Sequence, residues 1–342
     1  MIQIDNTRTT APDFWSRQHN APAEQFSFGV MGVPVTITAN QPQILAAARL
    51  SAQRFSQAAL QEGTKPISLQ ICVAAQPAQP APADLVEQLR YAGSGPWITL
   101  SAGLWGHAFA NLDQQEALLF LSPELAGDIR LVSRYFIDHY VLNFTLTRWA
   151  MLHASSVCSA DGQQLVMLVA PHNSGKSTTA LRLLRAGYTF VADGMVLFQF
   201  GTAGFLVGGY PIGEVKLRDD VLSKFPEYTG QTVHVREQRK TVVDLRSHHP
   251  CQLAEKVLQP SQLHLCFVER SNMRQTTIES LTGENVWPLL LENTAFWDEA
   301  PKLTHNYAVL QELLGGAVLH RLQLGTDPDG IVVTVNALLK KS

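Results

Sequence analysis

The chain has 342 residues, 46% hydrophobic and 16% charged, with a formal net charge of −3. That composition supports a real core and excludes an intrinsically disordered chain. The near-neutral balance excludes a global field that would recruit nucleic acid or an anionic membrane, so neither is expected as a partner.

The length predicts two domains of ordinary size, or one large domain with an extension. The four cysteines, Cys72, Cys158, Cys251 and Cys266, lie far apart without C-x-x-C spacing. Buried free thiols in a reducing compartment are expected, not a disulfide framework or a zinc site. Residues 1–8 show no basic segment leading into an apolar one, and no apolar run approaches the ~20 residues of a spanning helix. The expectation is a soluble, cytoplasmic protein.

Residues 1–25 are polar, carry little pattern and read as a loose arm. The stretch 26–38 is rich in β-branched and aromatic residues, interrupted by Gly29, Gly32 and Pro34; it predicts one bent strand or a hairpin. Residues 44–55 have helical spacing, with Pro42 near the start, and 66–73 form a short strand. The Pro/Ala-rich run 74–83 reads as an extended spacer. A helical turn or two at 85–91 precedes strands at 97–101, 106–112 and 117–122, a small antiparallel sheet. From 125 to 150 apolar residues recur every three or four positions, which predicts a long amphipathic helix. Its His139 reads as a packed or surface histidine. An α+β N-terminal domain, 1–150, is therefore expected to end in a long helix.

From Met151 the pattern changes to short apolar strands split by turns. Strands are predicted at 152–157 and 165–169, separated by a hairpin-type turn at Asp161-Gly162. After 165–169 comes Ala170-Pro-His-Asn-Ser-Gly-Lys-Ser-Thr178, which opens a helical pattern ending at Gly187. Strand, loop ending in Gly-Lys-Ser, then helix is the context of a phosphate-binding P-loop. Further strands are predicted at 188–192, 195–200, 211–217, 241–245, 263–269 and 318–324. Helices are predicted at 286–291, 303–314 and 330–339, the last capped by Asp327-Pro328.

The chemistry of the loop follows from its residues. Backbone N–H groups at a helix N-terminus and the helix dipole favour phosphate. Asn173, Ser174, Gly175, Lys176, Ser177 and Thr178 are the expected nucleotide contacts. Gly175 lets the backbone approach, Lys176 reaches the β- and γ-phosphates, and Ser177 holds Mg²⁺. The motif departs from G-x-x-x-x-G-K-[ST] at its first position, Ala170. Asp193 ends the strand after the helix, where its carboxylate would hold Mg²⁺ directly or through water, or else is a solvent-facing turn residue before Gly194. His153 precedes the hairpin and could accept a proton, or else be a core histidine. Alternation puts Lys216 and Arg218 on one face, as a phosphate clamp or merely a solvated strand face. Arg236, Arg239 and Lys240 form a basic cluster in an expected loop.

Together, His153-Ala-Ser-Ser156, the stretch 165–178, Leu183-Leu-Arg-Ala-Gly-Tyr188 and Val191-Ala-Asp193 resemble the catalytic domain of HPr kinase/phosphorylase. The resemblance covers about 150–342. It implies an α/β (α+β) chain: a phosphoenolpyruvate-carboxykinase-like P-loop kinase domain, 151–342, behind the smaller N-terminal domain. It implies ATP and Mg²⁺ as cofactors, with His153, Asp193 and Lys176 catalytic and Ser177 and Asp193 metal ligands. The family's habit would make a homo-oligomer, though no residue points to one.

Two departures stand out: Ala170, and Gly194 in place of a second aspartate. The family's downstream glycine-rich signature is also not found. The expected function is an ATP-dependent phosphotransferase acting on a hydroxyl of an unknown peptide, protein or small molecule. The alternative is a nucleotide-binding regulatory protein without turnover. A motor or ABC-type ATPase fits worse, since there is no L-S-G-G-Q-like stretch and no strand ending in Asp-Glu.

Overall fold

The computed structural model describes residues 24–60, 63–74, 82, 84–201, 204–235, 238–282, 286–294 and 300–340. Most of the expected N-terminal arm, most of the Pro/Ala-rich spacer and Arg236 lie outside them. The structure is mixed α/β with several sheets. It divides into two compact units. The first takes in Val33–Ala52 and Gln61–Phe144; the second takes in Val30–Gly32, Gln53–Leu60 and Thr145–Ser342. Among the described residues no helix is long and apolar enough to cross a membrane.

The first unit is built on a seven-stranded sheet. Its order is Glu24–Val30, Val33–Ala39, Ile67–Val73, Glu116–Leu121, Gly106–Asn111, Trp97–Ser101 and Arg90–Ser94. The stretch 26–38 is a hairpin of two strands, turned by Met31 and Gly32 at positive φ. The strands expected as a small antiparallel sheet are antiparallel to one another, but they belong to a larger mixed sheet. Val33–Ala39, Ile67–Val73 and Glu116–Leu121 run parallel. The helix Pro42–Ala52 supplies the first crossover such pairing needs.

The predicted long helix 125–150 is broken. It begins as Pro123–Gly127 and restarts at Ile129–Leu131, where the Asp128 carboxylate accepts from Leu131 N–H. It passes through a π-helical turn, Val132–Ile137, continues as Asp138–Thr145, and gives way to a strand at Ala150. Periodicity survives these breaks because the same face stays buried, so spacing alone did not reveal them. The expected helix at 85–91 covers only Leu85–Gln88, and Arg90–Ser94 is an edge strand. Within this unit the Ser51 hydroxyl donates to buried Asp138 at 2.5 Å, which pins the crossover helix to Asp138–Thr145.

The second unit centres on a six-stranded sheet ordered Thr189–Asp193, Ala154–Cys158, Gln164–Val169, Gln262–Arg270, Val318–Leu324 and Thr277–Ser280. The middle three of Gln164–Val169, Gln262–Arg270 and Val318–Leu324 are parallel, and the remaining pairings are antiparallel. The strand Gln164–Val169 is buried on both faces, which is why it reads as a continuous apolar run. Leu168 joins a core with Ala180, Leu184, Leu322 and Val335; Met167 joins one with Leu265, Leu310 and Leu313. Helix Lys176–Arg185 buries Leu181, Leu183 and Leu184 completely. At roughly 1.5–3 kcal/mol for each leucine, that packing anchors the helix whose first turn carries the loop.

Two smaller three-stranded sheets complete the unit. One is Gly204–Tyr210, Met195–Gly201 and Ala150–Leu152; the other is Glu214–Leu217, Gln238–Asp244 and Gly230–Val235. Arg239 and Lys240 therefore lie in a strand, not the loop expected from their charge. The strand predicted at 152–157 is two strands, split at His153, that belong to different sheets.

Candidate functional site

The loop runs from the C-terminal end of Gln164–Val169 to the helix Lys176–Arg185. Asn173 has φ of 66° and Gly175 φ of 103°. Asparagine visits the left-handed region more readily than other non-glycine residues, and glycine does so freely. A Cβ placed on Gly175 would come within 2.8 Å of Leu324 Cδ1, the end of a side chain that can give way, so the positive φ is what calls for glycine there. The Ser174 hydroxyl donates to Pro171 O at 2.9 Å, closing the turn. The first helical N–H to find an intrahelical acceptor is that of Thr179, bonded to Gly175 O at 2.9 Å. The N–H groups of Lys176, Ser177 and Thr178 precede it, at the positive end of the helix dipole. Ala170, where the motif has its first glycine, is buried at the end of the strand.

Lys176 is buried, and its ammonium donates to Ala170 O at 2.5 Å and Pro171 O at 3.0 Å. The cation thus lies over the carbonyls of its own loop. Burial lowers its pKa, and the Asp193 carboxylate partly opposes that shift.

Asp193 ends the strand Thr189–Asp193, and the antiparallel register sets it opposite Ser155. One oxygen, Oδ1, accepts from the Ser177 hydroxyl at 2.8 Å and from the Ser155 hydroxyl. Ser155 was not singled out from the sequence. It sits within the quoted His153-Ala-Ser-Ser156, but only the strand pairing shows that it faces Asp193.

His153 lies where the chain leaves one sheet for another, and Gly194 marks the same passage on the neighbouring strands. The two crossing points are joined. His153 Nδ1 lies 2.8 Å from Gly194 O, and Gly194 N–H donates to Ala154 O at 3.0 Å. A carbonyl oxygen only accepts, so the neutral ring carries its proton on Nδ1 and leaves a lone pair on Nε2. Burial lowers the His153 pKa, and nearby Lys176 and His172 lower it further; the Gly194 bond and Asp193 oppose them. His172, a loop residue not singled out from the sequence, lies beside His153 with the rings tilted by 49° and their centroids 4.8 Å apart.

Lys176, Ser177, Asp193 and His153 are thus gathered around one loop. Lys216 is half-buried within the strand Glu214–Leu217 of a separate sheet, and Arg218 lies past the strand's end as the cap of the short helix Asp219–Leu222, so the two do not form one strand face as alternation predicts. The Arg218 guanidinium is engaged by Asp220, at 2.8 Å and 2.6 Å.

No group of three or more His, Cys, Asp or Glu side chains gathers for a metal among the described residues. The Ser177 hydroxyl and Asp193 carboxylate nevertheless make an all-oxygen pair. Such a pair suits Mg²⁺, which takes one or two protein ligands and completes its shell with phosphate oxygens and water.

No family model matches the chain, and no curated protein matches it in sequence. Among solved structures, the Hpr(Ser) kinase/phosphatase from Coxiella burnetii is similar at a TM-score of 0.31 and 11% identity, over 56% of this chain and 91% of that one.

Proposed function

We propose that the second unit is an HPr-kinase-like phosphotransferase with a phosphoenolpyruvate-carboxykinase-like P-loop fold. It would move the γ-phosphoryl group of ATP to a hydroxyl of a peptide, protein or small molecule. The observation that carries this reading is the 2.8 Å bond between the Ser177 hydroxyl and the Asp193 carboxylate, at the mouth of a loop whose lysine is buried beside it.

Lys176 would swing from the Ala170 and Pro171 carbonyls to the β- and γ-phosphates, exchanging neutral acceptors for charged ones that bind a cation more strongly. The N–H groups of Lys176, Ser177 and Thr178 would hold phosphate oxygens in fixed positions. Ser177 and Asp193 would hold Mg²⁺, which neutralises charge on the phosphates. The acceptor hydroxyl oxygen bonds to the γ-phosphorus as the bond to the bridging β–γ oxygen breaks and ADP leaves. The hydroxyl proton passes to His153 Nε2, whose lone pair is kept available by the Nδ1 bond to Gly194 O. Catalysis on this account is positioning and electrostatic stabilisation.

ADP release from Mg-ATP tests the reading without knowledge of the acceptor, since water can stand in for it at a low rate. The wild type should release ADP, and His153→Ala and Asp193→Asn should each slow it at least about tenfold. A second reading, nucleotide binding without turnover, is favoured by Gly194, where the resembled family has a second aspartate. It takes over if the wild type binds Mg-ATP and releases no ADP.

A further inference from the structure

We infer that the nucleoside of the bound nucleotide lies on the flank of the loop away from Asp193, against the paired loops 271–274 and 325–327, with Met273 covering the base. This rests on the P-loop reading above and adds to it a direction and a set of residues.

The direction comes from the sheet. On one side of Gln164–Val169 lie Ala154–Cys158 and then Thr189–Asp193. That side carries His153, Ser155 and Asp193, so the reactive γ-phosphate faces it. A nucleotide laid across the loop then sends its nucleoside to the other side. There Gln262–Arg270 and Val318–Leu324 run parallel to the loop strand. Their C-terminal ends therefore open at the same edge as the loop, where α/β sheets bind ligands.

The residues come from the connections at that edge. Thr277–Ser280 pairs on the far side of Val318–Leu324, so the connection 271–276 passes over the end of that strand. Three backbone bonds tie the two loops together: Ser271 N–H to Leu324 O at 2.9 Å, Thr326 N–H to Met273 O at 2.9 Å, and Asp327 N–H to Arg274 O at 3.0 Å. The Leu324 side chain reaches the P-loop itself, against Gly175. A surface thus leads from the phosphate loop, through the Leu324 side chain, to loops 271–274 and 325–327, which backbone bonds tie together. On it Met273 is 70% exposed, an apolar side chain left in water. A thioether packs well against an aromatic ring, and a purine would remove it from water. The Asp327 carboxylate is occupied, capping the next helix through Asp329 N–H at 3.1 Å.

Calorimetry with two probes, Mg-ATP and Mg-tripolyphosphate, isolates the nucleoside's share. The wild type should bind Mg-ATP about tenfold or more tightly than tripolyphosphate. Met273→Ala, at an exposed position, should weaken Mg-ATP about fivefold and leave tripolyphosphate unchanged, and Met273→Leu should restore most of the loss. Equal wild-type affinity for the two probes, or an equal effect of Met273→Ala on both, overturns the inference and leaves the phosphate loop standing. If neither probe binds the wild type, the P-loop reading falls and takes this inference with it.

Discussion

The Ser177 hydroxyl donates to Asp193 Oδ1 at 2.8 Å, and the same oxygen accepts from the Ser155 hydroxyl. One carboxylate oxygen thereby joins the first turn of the loop helix, the end of the next strand and the strand between them. These bonds tie Ser177 to two strands of the sheet and so fix the start of the helix relative to it. If this pair holds Mg²⁺, its removal has a particular signature. Chelating Mg²⁺ should weaken ATP binding to the wild type by about tenfold, and Asp193→Asn should bind ATP weakly and equally with and without Mg²⁺. Calorimetry in magnesium and in chelator checks this; a variant that keeps the full magnesium effect contradicts it.

Gly175 stands at φ of 103° with Leu324 Cδ1 2.8 Å from where a Cβ would be. Gly175→Ala meets backbone strain and makes the Leu324 side chain shift to admit the methyl. It should cost about 1–3 kcal/mol of stability and weaken nucleotide binding together. Denaturant melts of the two proteins measure the first effect and calorimetry the second.

Gly194 differs in kind. Among the described residues a Cβ there meets nothing within 4 Å, yet φ is 117°, a conformation L side chains rarely adopt. Restoring the aspartate of the resembled family, Gly194→Asp, should therefore lower stability by about 1–3 kcal/mol despite the open space. Thermal unfolding decides this, and an unchanged midpoint would show that the backbone relaxes at no cost.

His264 and His320 lie buried on adjacent parallel strands, Nδ1 to Nε2 3.2 Å apart, and among the described residues the His264 Nε2 atom has no hydrogen-bond partner. Burial and the neighbouring His320 push His264 down from 6.5 to about 4, and burial lowers His320 as well. The unfolded chain binds a proton at His264 below about pH 6.5 that the folded chain does not take up until about pH 4, and His320 shifts in the same direction. Stability should fall as pH drops from about 6.5 toward 4, by up to about 1.4 kcal/mol per pH unit for each proton taken up. Urea melts of wild type and His264→Gln across that range should show a shallower slope for the variant.

Much of the site was legible because its determinants are local. Gly175, Lys176 and Ser177 adjoin an apolar strand and an amphipathic helix, and both elements form as their patterns imply. Asp193 was legible as a strand end. Ser155 and His172 were not, since the first is defined by a register between strands and the second by a ring contact across the loop. The same limit explains the fold. Alternation finds the strands at 97–101 and 106–112 but cannot tell that they share a sheet with Val33–Ala39. The all-exposed edge strand Arg90–Ser94 has no alternation to find. The strand 152–157 hides a change of sheet at His153, because residues on both sides of it are buried.

The central claim is that this loop binds a Mg-nucleotide through Lys176. Calorimetric titration of Mg-ATP into the wild type and Lys176→Ala tests it most directly. The account predicts measurable binding by the wild type and loss of about a hundredfold or more in the variant, since one buried cation is asked to meet the β- and γ-phosphates. A wild type that does not bind, or a variant that binds equally well, would contradict it.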